Sequence, residues 1–297
     1  MRTPLLRLPV DGPAEIWLKL ENLQPIGSFK IRGAVNAIRQ APLAEVRRGV
    51  VTASAGNMAQ GVAWAAREAG VAATVIAPEQ APQTKLDAIE RLGGTVVKVP
   101  YERWWEIMLT SRCEEADGLF VHPDQNDQVM AGNGTIGLEL AEDAPDADVV
   151  LVPWGGGGLF TGIASALAAL RPETKVYAVQ PETGAAVTAA LAAGEPRDAA
   201  FAPSFVDGAG AKIVLPAMWE RARPLLAGAY EVSLDETAAA VRLLAERSRV
   251  IAEGAGALAV AAAVSGRVAG RKLVCIVSGG NIDADRLSMI LGGGTPS

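Results

Sequence analysis

Histidine and cysteine are nearly missing from this chain, and their scarcity narrows the chemistry before any motif is read. His122 is the single histidine of 297 residues, and Cys113 and Cys275 are the two cysteines. A zinc site built from these residue types is excluded, because such a site needs several of them at close spacing. A histidine-based triad or general base would have to use His122, which sits in the turn-like stretch HPDQND and reads instead as a surface or loop-packing residue. Proton traffic would then fall to a lysine, a carboxylate or a cofactor.

Long apolar runs are also lacking. The longest, such as 256–264, fall well short of the about 20 residues a membrane span requires. The N-terminal MRTPLLRLPV lacks the apolar stretch of roughly 7 to 15 residues that a secretory signal carries, so the expected location is cytoplasmic, with no membrane partner. With 27 basic against 33 acidic residues, a formal charge of −6 and no basic run, nucleic acid is not an expected partner. Half of the residues are apolar, enough to bury one large core or two modest ones.

Short β-branched runs alternate with alanine-rich helical patterns. Strands are expected at 50–53, 72–76, 95–99, 119–121, 149–152, 175–179 and 273–277. Helices are expected at 58–69, 82–92, 102–116, 128–141, 159–170, 235–247 and 255–264. Alternation with continuous apolar strands points to an α/β fold with largely parallel sheets, whose loops beyond the strand carboxyl ends hold binding sites. The stretch 48–123 forms a β-α-β-α-β-α-β unit of its own, expected as a small domain inserted in a larger one made of 1–47 and 124–297.

Four polar clusters fall at strand ends. In the first, Lys30 stands between Phe29 and Ile31 in GSFKIRGA, where a helix begins. The positive end of a helix disfavours a protonated amine, which suits a lysine that forms Schiff bases. The second, Ser54-Ala55-Gly56-Asn57-Met58, offers backbone N–H groups among small side chains, a pocket for a carboxylate or a simple helix cap. The third, Trp154 followed by Gly155, Gly156, Gly157 and Gly158, opens a helix; four glycines are entropically costly, and a phosphate cradled at the helix start explains them. The fourth is Ser278-Gly279-Gly280-Asn281. The stretch Gly254-Ala255-Gly256 with Ala259 fits a dinucleotide fingerprint but lies in a helical pattern, so it reads as a decoy.

In this order, SFKIRGA, SAGNMAQG, GGGGL and SGGN resemble the fold type II pyridoxal-phosphate enzymes, specifically the threonine/serine dehydratase and serine racemase group. The resemblance implies a two-lobed fold like the tryptophan synthase β chain, with twisted parallel-rich sheets flanked by helices and pyridoxal 5′-phosphate in the cleft between lobes. It implies that Lys30 is the catalytic residue, holding the cofactor covalently and moving the Cα proton. Phe29, Asn57, Gly155 to Gly158 and Ser278 would bind the cofactor, the glycines its phosphate, Asn57 its 3-hydroxyl oxygen and Ser278 its pyridine nitrogen. Ser54, Ala55, Gly56, Asn57 and Met58 would bind the substrate, its carboxylate at Ser54 and the N–H groups after it. The assembly would be a homodimer.

A hydroxyl at the ring nitrogen stabilises a protonated pyridine less than a carboxylate does, which favours prompt β-elimination. The implied reaction is an ammonia-lyase (dehydratase) step on a small β-hydroxy-α-amino acid, L-threonine or L-serine going to a 2-keto acid and ammonia. Phenylserine or hydroxyaspartate as substrate, or serine racemisation, are the alternatives; racemases of this group carry serine at the position of Ala55, which argues against the last. The chain departs from the group at Met58, usually histidine, at Trp154, usually a small aliphatic, and at Asn133, usually glutamine, so an apolar substrate pocket is expected. In divalent-activated relatives, carboxylates stand where this chain has Gln180 and Ala186, so no metal is expected.

Overall fold

In the computed structural model, which describes residues 1–297, the continuous apolar runs become buried strands. The ten strands are β1 (Leu5–Arg7), β2 (Glu15–Leu20), β3 (Val50–Ala53), β4 (Ala73–Pro78), β5 (Gly94–Val99), β6 (Leu119–Phe120), β7 (Val149–Pro153), β8 (Lys175–Pro181), β9 (Gly228–Val232) and β10 (Lys272–Val277). The helices are α1 (Lys30–Gln40), α2 (Leu43–Val46), α3 (Asn57–Glu68), α4 (Gln83–Arg91), α5 (Tyr101–Thr110), α6 (Asp127–Asp143), α7 (Gly158–Leu170), α8 (Ala186–Ala193), α9 (Pro216–Ala222), α10 (Leu234–Ser248), α11 (Gly254–Val264) and α12 (Ala284–Leu291). None is long and apolar enough to cross a membrane.

The chain forms two compact units, one of residues 1–29 with 134–297 and one of residues 30–133. In the first, six strands lie in the order β1-β2-β10-β7-β8-β9, parallel throughout except for the β1 edge. Every residue of β7 is buried, as a strand covered on both faces must be. α11 is buried over ten of its eleven residues, and its alanines and glycines let it lie close to the sheet. Gly256 shows how close: a Cβ built there would stand 2.2 Å from the carbonyl oxygen of Gly279. The Gly254-Ala255-Gly256 stretch is therefore a packing device and not a nucleotide site.

In the second unit, four parallel strands lie in the order β5-β4-β3-β6. Residues 30–47 and 124–133 group with this unit, so it is larger than the 48–123 segment expected from strand periodicity. The reason is glycine-mediated packing of α1. A Cβ on Gly61 of α3 would meet the Lys30 carbonyl at 3.2 Å, and one on Gly132 of α6 would meet the Arg32 carbonyl at 2.4 Å. Contacts this short hold α1 against both helices.

Candidate active site

Within the second unit, the site residues gather at the carboxyl end of β3. Ser54, Ala55 and Gly56 link β3 to α3, and the Ser54 hydroxyl accepts from the Gly56 N–H at 3.2 Å. Gly56 is the cap of α3 and no side chain caps that helix, nor is there an acidic residue in its first turn. A Cβ on Gly56 would meet no atom within 4 Å, so the backbone here faces open space. The alternative that Ser54 or Asn57 simply caps the helix is not what forms. An uncapped, uncharged helix start with small side chains matches the requirement for binding a carboxylate.

Met58 follows directly, but its side chain is only 2 % exposed and packs into the apolar core with Ala34, Val62 and Val75. The Met58 side chain, expected to make a substrate pocket more apolar, instead lies in the core, because the start of α3 turns this position inward.

Lys30 is the first residue of α1, largely buried, and its amine donates to the Pro123 carbonyl at 3.1 Å and to Asp124 Oδ1 at 3.2 Å. The residues that receive it belong to the HPDQND turn. His122 is 4 % exposed and holds that turn: its Nδ1 accepts from the Asp124 N–H at 3.0 Å and the Gln125 N–H at 2.9 Å. A ring nitrogen that accepts twice carries no proton, so Nε2 donates to the Met108 carbonyl at 3.0 Å. Burial pushes the imidazole below its ordinary value, against the raising effects of the Met108 carbonyl and Asp124. His122 is thus the loop-packing residue expected, while Asp124 had no sequence signal: 94 residues separate it from Lys30.

Within the first unit, the first and fourth clusters meet. Ser28 and Gly279 form an antiparallel bridge, the Phe29 N–H donates to the Ser278 carbonyl at 3.0 Å, and the Gly280 N–H donates to the Gly27 carbonyl at 2.9 Å. Asn281 fixes the same corner by donating to the Ile26 carbonyl at 2.9 Å. Ser278, 3 % exposed, sits one residue beyond β10, and Phe29 is partly exposed beside it.

The glycine run bridges β7 and α7. Gly157, at φ +94°, is the cap of α7, which has no side-chain cap and no acidic residue in its first turn. The Thr161 hydroxyl near the start of that helix is buried with no protein partner. Gly155 faces the Gly208 carbonyl, 3.2 Å from where a Cβ would stand. N–H groups and a positive helix end whose first turn carries no carboxylate are what a phosphate needs, so the run fits the phosphate of pyridoxal phosphate. Trp154, before it, is 1 % exposed and stacks obliquely on Phe160 with ring centroids 5.3 Å apart. Like Met58 it packs inward and does not line an apolar substrate pocket.

In α5 the ring centroids of Trp104 and Trp105 lie 6.2 Å apart; Trp104 packs against the apolar cluster of Val51, Ala53 and Ile107, while Trp105 is 40 % exposed.

A family model for pyridoxal-phosphate dependent enzymes matches residues 1–279. The chain is 42 % identical over 284 residues to the L-threonine ammonia-lyase of Thermotoga maritima, covering 94 % of this chain and 70 % of that one. It is 41 % identical over 283 residues to the catabolic L-threonine dehydratase of Escherichia coli K12, covering 94 % and 86 %. The structure of maize serine racemase superposes with a TM-score of 0.88 at 31 % identity, covering 97 % of this chain and 91 % of that one.

Proposed function

Because the chain belongs to the pyridoxal-phosphate dependent enzyme family, we propose that it is a cytoplasmic, homodimeric ammonia-lyase converting a β-hydroxy-α-amino acid, L-threonine or L-serine first, to a 2-keto acid and ammonia. The observation that carries the reading is the placement of Lys30: a largely buried amine at the head of α1, in a unit whose neighbouring helix start is bare of charge. The names of the relatives support the substrate class.

Pyridoxal phosphate, when bound, supplies an aldehyde that links to an amine and a ring that takes up the electron pair released at Cα. The remaining work belongs to the chain. Gly155 to Gly158 and the start of α7 would hold the phosphate, and Ser278 would offer a hydroxyl to the ring nitrogen. Phe29 lies beside Ser278, and Asn57 would serve the 3-hydroxyl oxygen. Ser54 and the N–H groups from Ala55 to Met58 hold the substrate carboxylate at the positive end of α3. Lys30 would be the base that takes the Cα proton, in a reaction that loses the β-hydroxyl. Ala55 places no hydroxyl on the opposite side of Cα, which favours elimination over racemisation.

Borohydride reduction of the holoenzyme followed by peptide mapping tests the assignment: the adduct is expected on the peptide containing Lys30, and an adduct on another lysine overturns it. Keto acid release is expected across a panel of β-hydroxy amino acids, and its loss in Lys30→Ala with unchanged circular dichroism separates chemistry from folding. A panel that yields D-amino acids as fast as keto acids would refute the lyase reading.

A further inference from the structure

The amine of Lys30 is held from a second element. α1 has no acidic residue in its first turn, and the positive helix end works against an ammonium there. The opposing charge comes from Asp124, whose side chain is 17 % exposed against 18 % for Lys30, so the pair is screened less than a surface ion pair. Asp124 is itself fixed in place. Pro123 restricts the backbone before it, and the N–H groups of Asp124 and Gln125 both go to His122, whose far nitrogen is tied to α5. Asp124 and, behind the same turn, His122 are the titratable side chains that this loop brings toward the Lys30 amine.

Taking Lys30 as the cofactor-linking amine, as proposed above, we propose that Asp124 is the positioning residue for it: the carboxylate aims the amine and accepts the proton that the amine must shed before it can bond. The step balances without any oxidant or reductant. A proton passes from Lys30 Nζ to Asp124 Oδ1, and the nitrogen lone pair forms a bond to the aldehyde carbon while the carbonyl π pair moves onto oxygen. That oxygen takes one proton back from Asp124 and one from the nitrogen and leaves as water. The linked nitrogen retains one proton and a positive charge, and the carboxylate is regenerated beside it. A carbonyl alone, such as that of Pro123, can orient the amine but cannot hold its proton.

The test compares two cofactor forms on the cofactor-stripped, full-length chain. Pyridoxal phosphate links to lysine and develops a visible band; pyridoxine 5′-phosphate carries an alcohol in place of the aldehyde and binds without linking. In Asp124→Asn the rate of covalent uptake is expected to fall about tenfold or more, the scale of a lost charge-assisted hydrogen bond. Affinity for pyridoxine 5′-phosphate is expected to stay within about twofold, since that compound does not engage the amine covalently. Asp124→Glu is expected to recover part of the rate. An unchanged uptake rate in Asp124→Asn overturns the proposal. So does an equal loss for both compounds, whether from misfolding or a disordered turn, and so does a Glu variant that recovers nothing. Borohydride trapping runs beside it: an adduct away from Lys30 defeats the reading of the cofactor lysine, whereas an adduct on Lys30 with an unaffected Asn variant defeats the role of Asp124 alone.

Discussion

The indole of Trp154 lies directly against Gly157: a Cβ built on Gly157 would stand 2.8 Å from Trp154 Cζ2. With φ at +94°, Gly157 is held both by backbone conformation and by the ring beneath it. Gly157→Ala is therefore expected to lower stability by about 1 to 3 kcal/mol and to weaken cofactor binding by at least about tenfold. Gly56→Ala supplies the contrast, at φ −119° with open space around it, and is expected to melt like the parent chain. Thermal melts and cofactor titrations of the two variants decide the matter; equal melting temperatures would show that the loop tolerates a side chain.

A second prediction concerns metal dependence. The side-chain nitrogen of Gln180 donates to the Gly184 carbonyl at 3.2 Å and its oxygen accepts from the Val187 N–H at 2.8 Å, all fully or largely buried. The amide thus ties together a turn whose carbonyl a cation would otherwise gather. Exhaustive chelation of divalent ions is expected to leave activity and the thermal midpoint nearly unchanged, because a hard dication needs several charged oxygen ligands. A large loss restored by magnesium or calcium would contradict this. Gln180→Ala, by contrast, should lower the midpoint, since it leaves the Val187 N–H without its partner and the Gly184 carbonyl with only the Ala211 N–H.

Lys19 is fully buried, with its amine 2.5 Å from Glu139 Oε2, 3.5 Å from Asp143 Oδ2 and 2.8 Å from the Thr3 carbonyl. Removing one partner of such a cluster leaves buried charge uncompensated. Lys19→Met is expected to cost about 3 kcal/mol, visible as a fall of roughly 5 °C or more in the thermal midpoint. Specific activity per folded molecule is expected to persist, because Lys19 serves the fold. A variant that keeps its stability but loses activity would reverse that assignment.

Residues show what the sequence made legible. The strand at Val149–Pro153 and residues 273–277 of β10 are uninterrupted apolar runs, so they stand out by period alone. Glu15–Leu20 does not, since its interior lysine reads as an exposed position until the distant carboxylates of Glu139 and Asp143 are in place. Helix α5 was expected to reach residue 116 but stops at Thr110, because Ser111 enters the left-handed region at φ +56° and its N–H closes on Ile107. The four clusters were visible because glycine and serine at strand ends carry local meaning. The directions of Met58 and Trp154 were not, because which way a side chain turns at a helix start or just past a strand end is settled by the core beneath it. Asp124 escaped for a related reason: a charge relation across 94 residues leaves no local pattern.

The single histidine gives the last prediction an unambiguous probe. In the folded chain His122 must stay neutral, since its Nδ1 accepts two N–H groups and protonation would force both away. Burial is the largest cause of its lowered value. The unfolded chain titrates near the ordinary value of about 6.5, so between that pH and the lower folded value the unfolded state binds more protons. The stabilisation is complete above about 6.5 and is lost as pH falls through the folded value. The one imidazole resonance in an NMR titration is therefore expected to have its midpoint below about 6.5, and the thermal midpoint should be flat from pH 8 to 7 and decline as pH falls below about 6.5. His122→Asn offers an uncharged side-chain oxygen to the same turn and should be less stable at pH 8, yet lose less as pH falls over that window. A resonance titrating at or above 6.5, or the same decline in the asparagine variant, would mean that the turn beneath Lys30 is not held by neutral His122.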